Sequence, residues 1–173
     1  RESGKHLNEL LSNSEDSEIE HLASSYAKQI MNKTCVLYGG TGLTELVSSR
    51  WKTQINENSK AKAFIGSMPE VHHNEILSWQ ADKDGSMENF ILIFLRSPFE
   101  HAQIKKRFEL SEKLLGDKVQ ILNISTKESK DELKILMELV LLGDLTSIHL
   151  ANNLNMKPED IDTIEELKNL LKG

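Results

Sequence analysis

The sequence predicts an α/β fold, a three-layer αβα sandwich built around a parallel sheet. Three observations carry that prediction. Short apolar runs recur along the chain: "TCVLYGG", "AKAFIG", "NFILIFLRS" and "KVQILNIS". Helix-like segments separate them, so each strand is joined to the next by a crossover rather than a tight hairpin. The runs are also nearly continuous in apolar character, the signature of strands covered on both faces.

The elements follow in order. Residues 17–32 read as a helix, and 34–40 as a buried strand running into a turn at paired glycines. A helix spans 43–58, and the second and third strands are expected at 61–66 and 89–97. A charged helix covers 100–115 and the fourth strand 118–125. A long apolar helix (about 129–154) and a short amphipathic one (about 159–172) close the chain, separated by Pro158. In open parallel sheets ligands sit beyond the carboxyl ends of the strands. The segment "GSMPEVHHNE" leaves the second strand on that side, which makes it a candidate site.

Composition narrows the function. The 173 residues are 38% hydrophobic and 28% charged, with a net charge of −6 and no basic block. That disfavours non-specific binding to nucleic acid or to an anionic membrane. A small anion at a helix N-terminus remains compatible. Cys35 is the only cysteine, so no internal disulfide forms and a cytoplasmic location is expected. The polar, acidic opening does not resemble a signal peptide. The most apolar stretch, "LKILMELVLLGDL", is interrupted by Glu138 and Asp144 and is too short to span a bilayer. The chain starts at Arg1 rather than Met, as expected of a processed protein or a fragment.

Polar residues fall in unexpected places. On the helix after the first strand, Leu43, Leu46, Val47 and Trp51 define an inward stripe, with Glu45, Ser48, Ser49, Lys52 and Asn56 opposite. Arg50, Gln54 and Glu57 then fall on the inward stripe, where a charge needs a partner. The plainer reading puts Glu57 at the helix end, beyond the sheet, in water. In the last helix Ile161, Ile164, Leu167 and Leu171 form a packing face. Lys168 borders it, as a snorkelling lysine also would. "YGGTG" either cradles phosphate or is a plain turn. His72 and His73 make a poor zinc pair, and Cys35 lies within a strand, as a core residue does.

Two blocks carry a resemblance. "RWKTQINENSKAKAFIGSMPEVHHNEILSW" (50–79) and "LLGDLTSIHLANNLNMKPEDIDTIEELKNLL" (141–171) resemble the bifunctional phosphoglucose/phosphomannose isomerases of the sugar isomerase (SIS) superfamily. "YGGTGL" and "LRSPFEHAQIKKRFEL" agree, so the likeness spans most of 30–171. It implies a flavodoxin-like SIS domain and isomerisation of a hexose 6-phosphate through a cis-enediol, without metal or organic cofactor. It also implies Glu57 as base, His73 in ring opening and Lys168 assisting it, with Arg50 supporting Glu57. Asn74 and Glu75 would shape the loop. The family's histidine serves the partner subunit, which implies a homodimer. Family members carry two such domains, and the phosphate is held mainly by the first. On this reading residues 1–29 are a tail and linker helix, and 30–173 are the C-terminal domain. The N-terminal SIS domain would be a separate part of the same protein, and this chain alone weakly active or inactive. His72, and Glu159–Asp160 after Pro158, depart from the family pattern.

Two other readings use the same residues. One is a non-catalytic sugar-phosphate-binding SIS module. The other is a dimerisation domain that mainly builds the dimer. The helix at 133–150 is apolar on nearly every side and requires a second cover, consistent with the missing half.

Overall fold

The computed structural model describes residues 5, 8, 17–80, 85–126 and 129–172. Helix α1 (Glu18–Ile30) starts beneath Ser17, whose hydroxyl accepts from the Glu20 amide, a cap that satisfies an otherwise orphaned donor. Strand β1 (Thr34–Gly40) follows, then helix α2 (Leu43–Ser59) and strand β2 (Ala63–Met68). Three short 3-10 turns (Glu70–His72, Glu75–Gln80, Ser86–Asn89) lead to β3 (Phe90–Leu95), α3 (Ala102–Leu115) and β4 (Gln120–Ile124). Helices α4 (Glu132–Asn153) and α5 (Asp162–Leu171) finish the chain.

The four strands form one parallel sheet in the order β2-β1-β3-β4. Helices α1, α2 and α4 cover one face, setting Ala23, Ala27, Val47, Trp51, Ile55 and Leu139 on Cys35, Leu37, Ile91 and Ile93. Helix α3 and the segment after β2 cover the other, where Phe108, Val71 and Trp79 meet Tyr38, Leu92 and Phe94. This is the expected three-layer α/β architecture. No described helix is long and apolar enough to cross a membrane.

Two sequence expectations need correction. The inward stripe of α2 is Thr44, Val47, Ser48, Trp51, Ile55 and Ser59, whereas Leu46 is 67% exposed. Three of these positions carry hydroxyls, which a hydropathy reading counts as outward. They are tolerated inside because each hydroxyl donates to a nearby backbone carbonyl: Thr44 to Gly40, Ser48 to Glu45 and Ser59 to Ile55. Arg50 and Glu57 are therefore exposed rather than inward, and Gln54 is half-buried.

The expected packing face of the last helix is not packed either. Among the described residues α5 buries none, and Ile161, Ile164, Leu167 and Leu171 are all exposed. The long helix α4, expected to need a cover from outside, obtains most of it from α1 and α2 and leaves Leu133 and Ile148 exposed.

Candidate active site

The topology separates the sequence-predicted site residues. Because the strands are parallel, α2 begins beyond the carboxyl end of β1 and runs back, so its last turn lies beside the amino end of β2. Its 17 residues cover roughly 25 Å at 1.5 Å per residue. Glu57 sits on that last turn, at the amino edge of the sheet. Strand β2 then runs forward again, and the segment with His73, Asn74 and Glu75 emerges at the carboxyl edge. Glu57 and His73 of one chain are thus at opposite ends of the sheet.

Glu57 lines a cleft of about 620 Å³. One wall is the C-terminal half of α2: Lys52, Thr53, Asn56, Glu57 and Lys60. The other is the entry to α5, from Asp160 to Ile164. Lys60 joins the walls. It ends α2 in the left-handed region (φ 57°), and its ammonium donates to the carbonyls of Glu57 (2.7 Å), Lys157 (2.9 Å) and Pro158 (3.3 Å). Asn56 reinforces the corner by donating to the Ala61 carbonyl at 2.8 Å. Lys168 is on α5 but does not line the cleft, and its side chain is in solvent.

Arg50 lies two turns before Glu57. It forks onto Asp144 of α4 at 3.0 and 2.9 Å, and the hydrogen bond from that carboxylate pushes the guanidinium pKa up. This pair ties α2 to α4 and so fixes the helix that carries Glu57.

At the carboxyl edge, Val71 is buried and Trp79 donates to the Tyr38 hydroxyl at 3.0 Å, so the loop is anchored at both ends. Between the anchors His73 and Asn74 are exposed, and Asn74 Oδ1 accepts from the Glu75 amide at 2.6 Å. Glu75 leans back over β2, where a Cβ on Gly66 would stand 2.9 Å from its Oε2. Burial raises the pKa of this carboxyl. Burial and then the charge of Glu75 raise the Tyr38 phenol, which reaches about 12 despite the opposing bond from Trp79.

A smaller cleft of about 110 Å³ lies between the loops after β1 and β3, where the strand order reverses. Three of its backbone donors are already engaged. The Gly40 amide donates to Thr44 Oγ1, the Gly42 amide to Glu45 Oε2, and the Ser97 amide to Glu100, which Arg96 also clamps at 2.8–3.1 Å. With these amides bonded to side chains of the same loops, "YGGTG" serves as a turn here. Cys35 is buried, and burial lifts its thiol to about 12, which suits a core residue.

Sequence reasoning singled out Glu57, and Asp160 as a departure from the family pattern, but missed Lys52 and Lys60 beside it. Their grouping depends on how α5 enters, which no periodicity reports.

A parallel sheet with helices on both faces and a carboxylate-bearing cleft at one edge defines the class: an open, three-layer α/β domain. The likeness to solved structures agrees at the level of fold. A hypothetical protein from Thermus thermophilus superposes with a TM-score of 0.72 at 11% identity, over 98% of this chain and 48% of that one. The family model for the bacterial phospho-glucose isomerase C-terminal SIS domain matches residues 19–171, and the chain belongs to that family. The bifunctional phosphoglucose/phosphomannose isomerase of Aquifex aeolicus is 33% identical over 84% of this chain and 45% of its own length. That of Caldicellulosiruptor bescii is 31% identical over 89% of this chain and 45% of its own. The chain thus spans somewhat under half the length of the curated relatives it matches.

Proposed function

We propose that this chain is the C-terminal half of an aldose–ketose isomerase that interconverts glucose 6-phosphate, and mannose 6-phosphate, with fructose 6-phosphate. The carrying observation is Glu57, a carboxylate on the wall of the 620 Å³ cleft in a chain of this family. With the sugar open, Glu57 takes the proton from C2 of the aldose, leaving a cis-enediolate charged on O1. The O2 proton passes to O1 through the cis-enediol stage, and Glu57 returns its proton to C1 as O2 becomes the ketone oxygen. The negative charge that develops on oxygen requires cations or N–H donors close by. Lys52 lines the same cleft, and Lys168 is carried by the helix that forms its far wall.

Ring opening is assigned to His73 of the partner subunit in a homodimer, because a chain's own His73 stands at the far edge of its sheet. Arg50 supports Glu57 through the fork to Asp144, and Asn74 and Glu75 shape the loop. The phosphate is held by an N-terminal SIS domain of the same protein, a reading supported by relatives about twice as long. The chemistry needs no metal or organic cofactor, and the location is cytoplasmic.

A coupled assay for fructose 6-phosphate to glucose 6-phosphate tests this, on the chain alone and with the N-terminal domain supplied. Little turnover alone and rescue on addition are expected. Glu57→Gln then lowers kcat by about 10²–10⁴-fold while sugar phosphate still binds. Full turnover in Glu57→Gln would remove the base. Binding without turnover in every preparation would favour a non-catalytic sugar-phosphate module.

A further inference from the structure

The residue before His73 is bonded through both ring nitrogens. His72 Nε2 lies 2.7 Å from Ser111 Oγ, and that hydroxyl donates to the Arg107 carbonyl at 2.8 Å. A hydroxyl has one proton. With that proton committed to the carbonyl, Ser111 Oγ accepts from the imidazole, so the ring proton sits on Nε2. Nδ1 is then a lone pair, and the Arg107 Nη1 group donates to it at 3.1 Å. Only neutral imidazole satisfies this set. A proton on Nδ1 would set one N–H against another, with positive charge on both partners. The surroundings agree. Desolvation, the charge of Arg107 on α3 and the charge of His73 in the same loop all lower the His72 pKa.

The clamp occupies a telling position. Val71 is buried under the loop and His72 reaches across to α3, so His73 is left facing outward. Ser111, the anchor on α3, is 1% exposed.

We propose that His72 is a positioning residue: held neutral between Ser111 and Arg107, it clamps the Pro69–Gln80 loop to α3 and aims His73 outward, and acid opens the clamp. The aiming of His73 at a sugar rests on the isomerase reading; the clamp and its opening do not.

Nitrogen-15 NMR of the histidine rings on the whole chain, with 5-fluorotryptophan as the loop reporter, tests it. His72 should show the Nε2–H tautomer and titrate below the ordinary histidine value. The fluorine signal of Trp79 should follow the same midpoint, with that of core Trp51 unmoved. In His72→Gln, which keeps a donor and an acceptor but cannot titrate, the Trp79 signal should lose that pH dependence. Should that variant not fold, Arg107→Met serves instead, and it should raise the His72 midpoint toward the ordinary value. In an active preparation kcat should show a partial step at the His72 midpoint, with KM unchanged, and that step should disappear in His72→Gln. His72→Ala should cost kcat on the order of tenfold, with His72→Gln restoring most of it, as expected of lost orientation. An Nδ1–H tautomer, an unshifted His72 titration, or a Trp79 signal indifferent to it would overturn the clamp. A chain that passes the NMR tests but never isomerises keeps the clamp and loses only the isomerase reading.

Discussion

Gly143 has no room for a side chain: a Cβ there would stand 2.3 Å from Trp51 Nε1. The indole N–H donates to the Leu139 carbonyl at 2.8 Å, one turn earlier on α4, so α2 and α4 meet along a bonded, fully buried edge. Gly143→Ala should therefore destabilise the fold by about 1–3 kcal/mol, read as a lower urea midpoint at constant slope. Arg50→Met should cost less, about 0.2–1 kcal/mol in the same measurement, because the Arg50–Asp144 pair is partly solvated. Glu75 gives a pH prediction of opposite sign to His72. Its folded pKa is raised, so the native state holds the proton more tightly than the unfolded chain. Stability falls as pH rises from the ordinary carboxylate value through the raised one, and the penalty is complete above it. Glu75→Gln should raise Tm at neutral pH and confer no advantage below the carboxylate range. For His72 the folded pKa is lowered, so its contribution is present above the ordinary histidine value and is lost as pH falls through the folded one.

At the scale of elements, helix positions followed from pattern, but helix faces did not always. Strand β3 was legible because five of its six residues are buried, and a run of that kind has no other stable use. The stripe of α2 was misread by about one position, because buried serines and a threonine look like surface. Helix α5 was readable as amphipathic, yet its apolar side is uncovered among the described residues. What ties its entry to the rest is the Lys60 ammonium on the Lys157 and Pro158 carbonyls. Lys60→Met should accelerate amide hydrogen exchange over 157–171 and leave β1 and β3 protected; equal protection throughout would show that other contacts hold α5.

For the whole molecule, the consequence of topology is that one chain cannot bring its own Glu57 and His73 together. The isomerase reading therefore makes a quantitative demand on mixtures. With the N-terminal domain supplied, Glu57→Gln and His73→Ala variants, each inactive by itself, should complement on mixing and subunit exchange. Half of the dimers are then mixed and each holds one intact site, so activity should recover to about a quarter of wild type. No recovery, with exchange demonstrated by mass, would place both residues' work within one chain or remove one of them.

The sequence by itself determined the class of fold and the strands, and its resemblance to the family singled out Glu57 as the candidate base. Those rest on local quantities: continuous apolar runs, crossover lengths and a motif read along the chain. Only the tertiary structure decided which side of α2 is inward, that Lys60 and Asp160 join Glu57 in one cleft, and that His72 is bonded at both nitrogens while His73 is free to face outward. Those depend on distances between residues far apart in sequence, such as His72 and Ser111 or Lys60 and Pro158. A side chain's partners are set by how helices seat on the sheet, and that seating is a property of the assembled core.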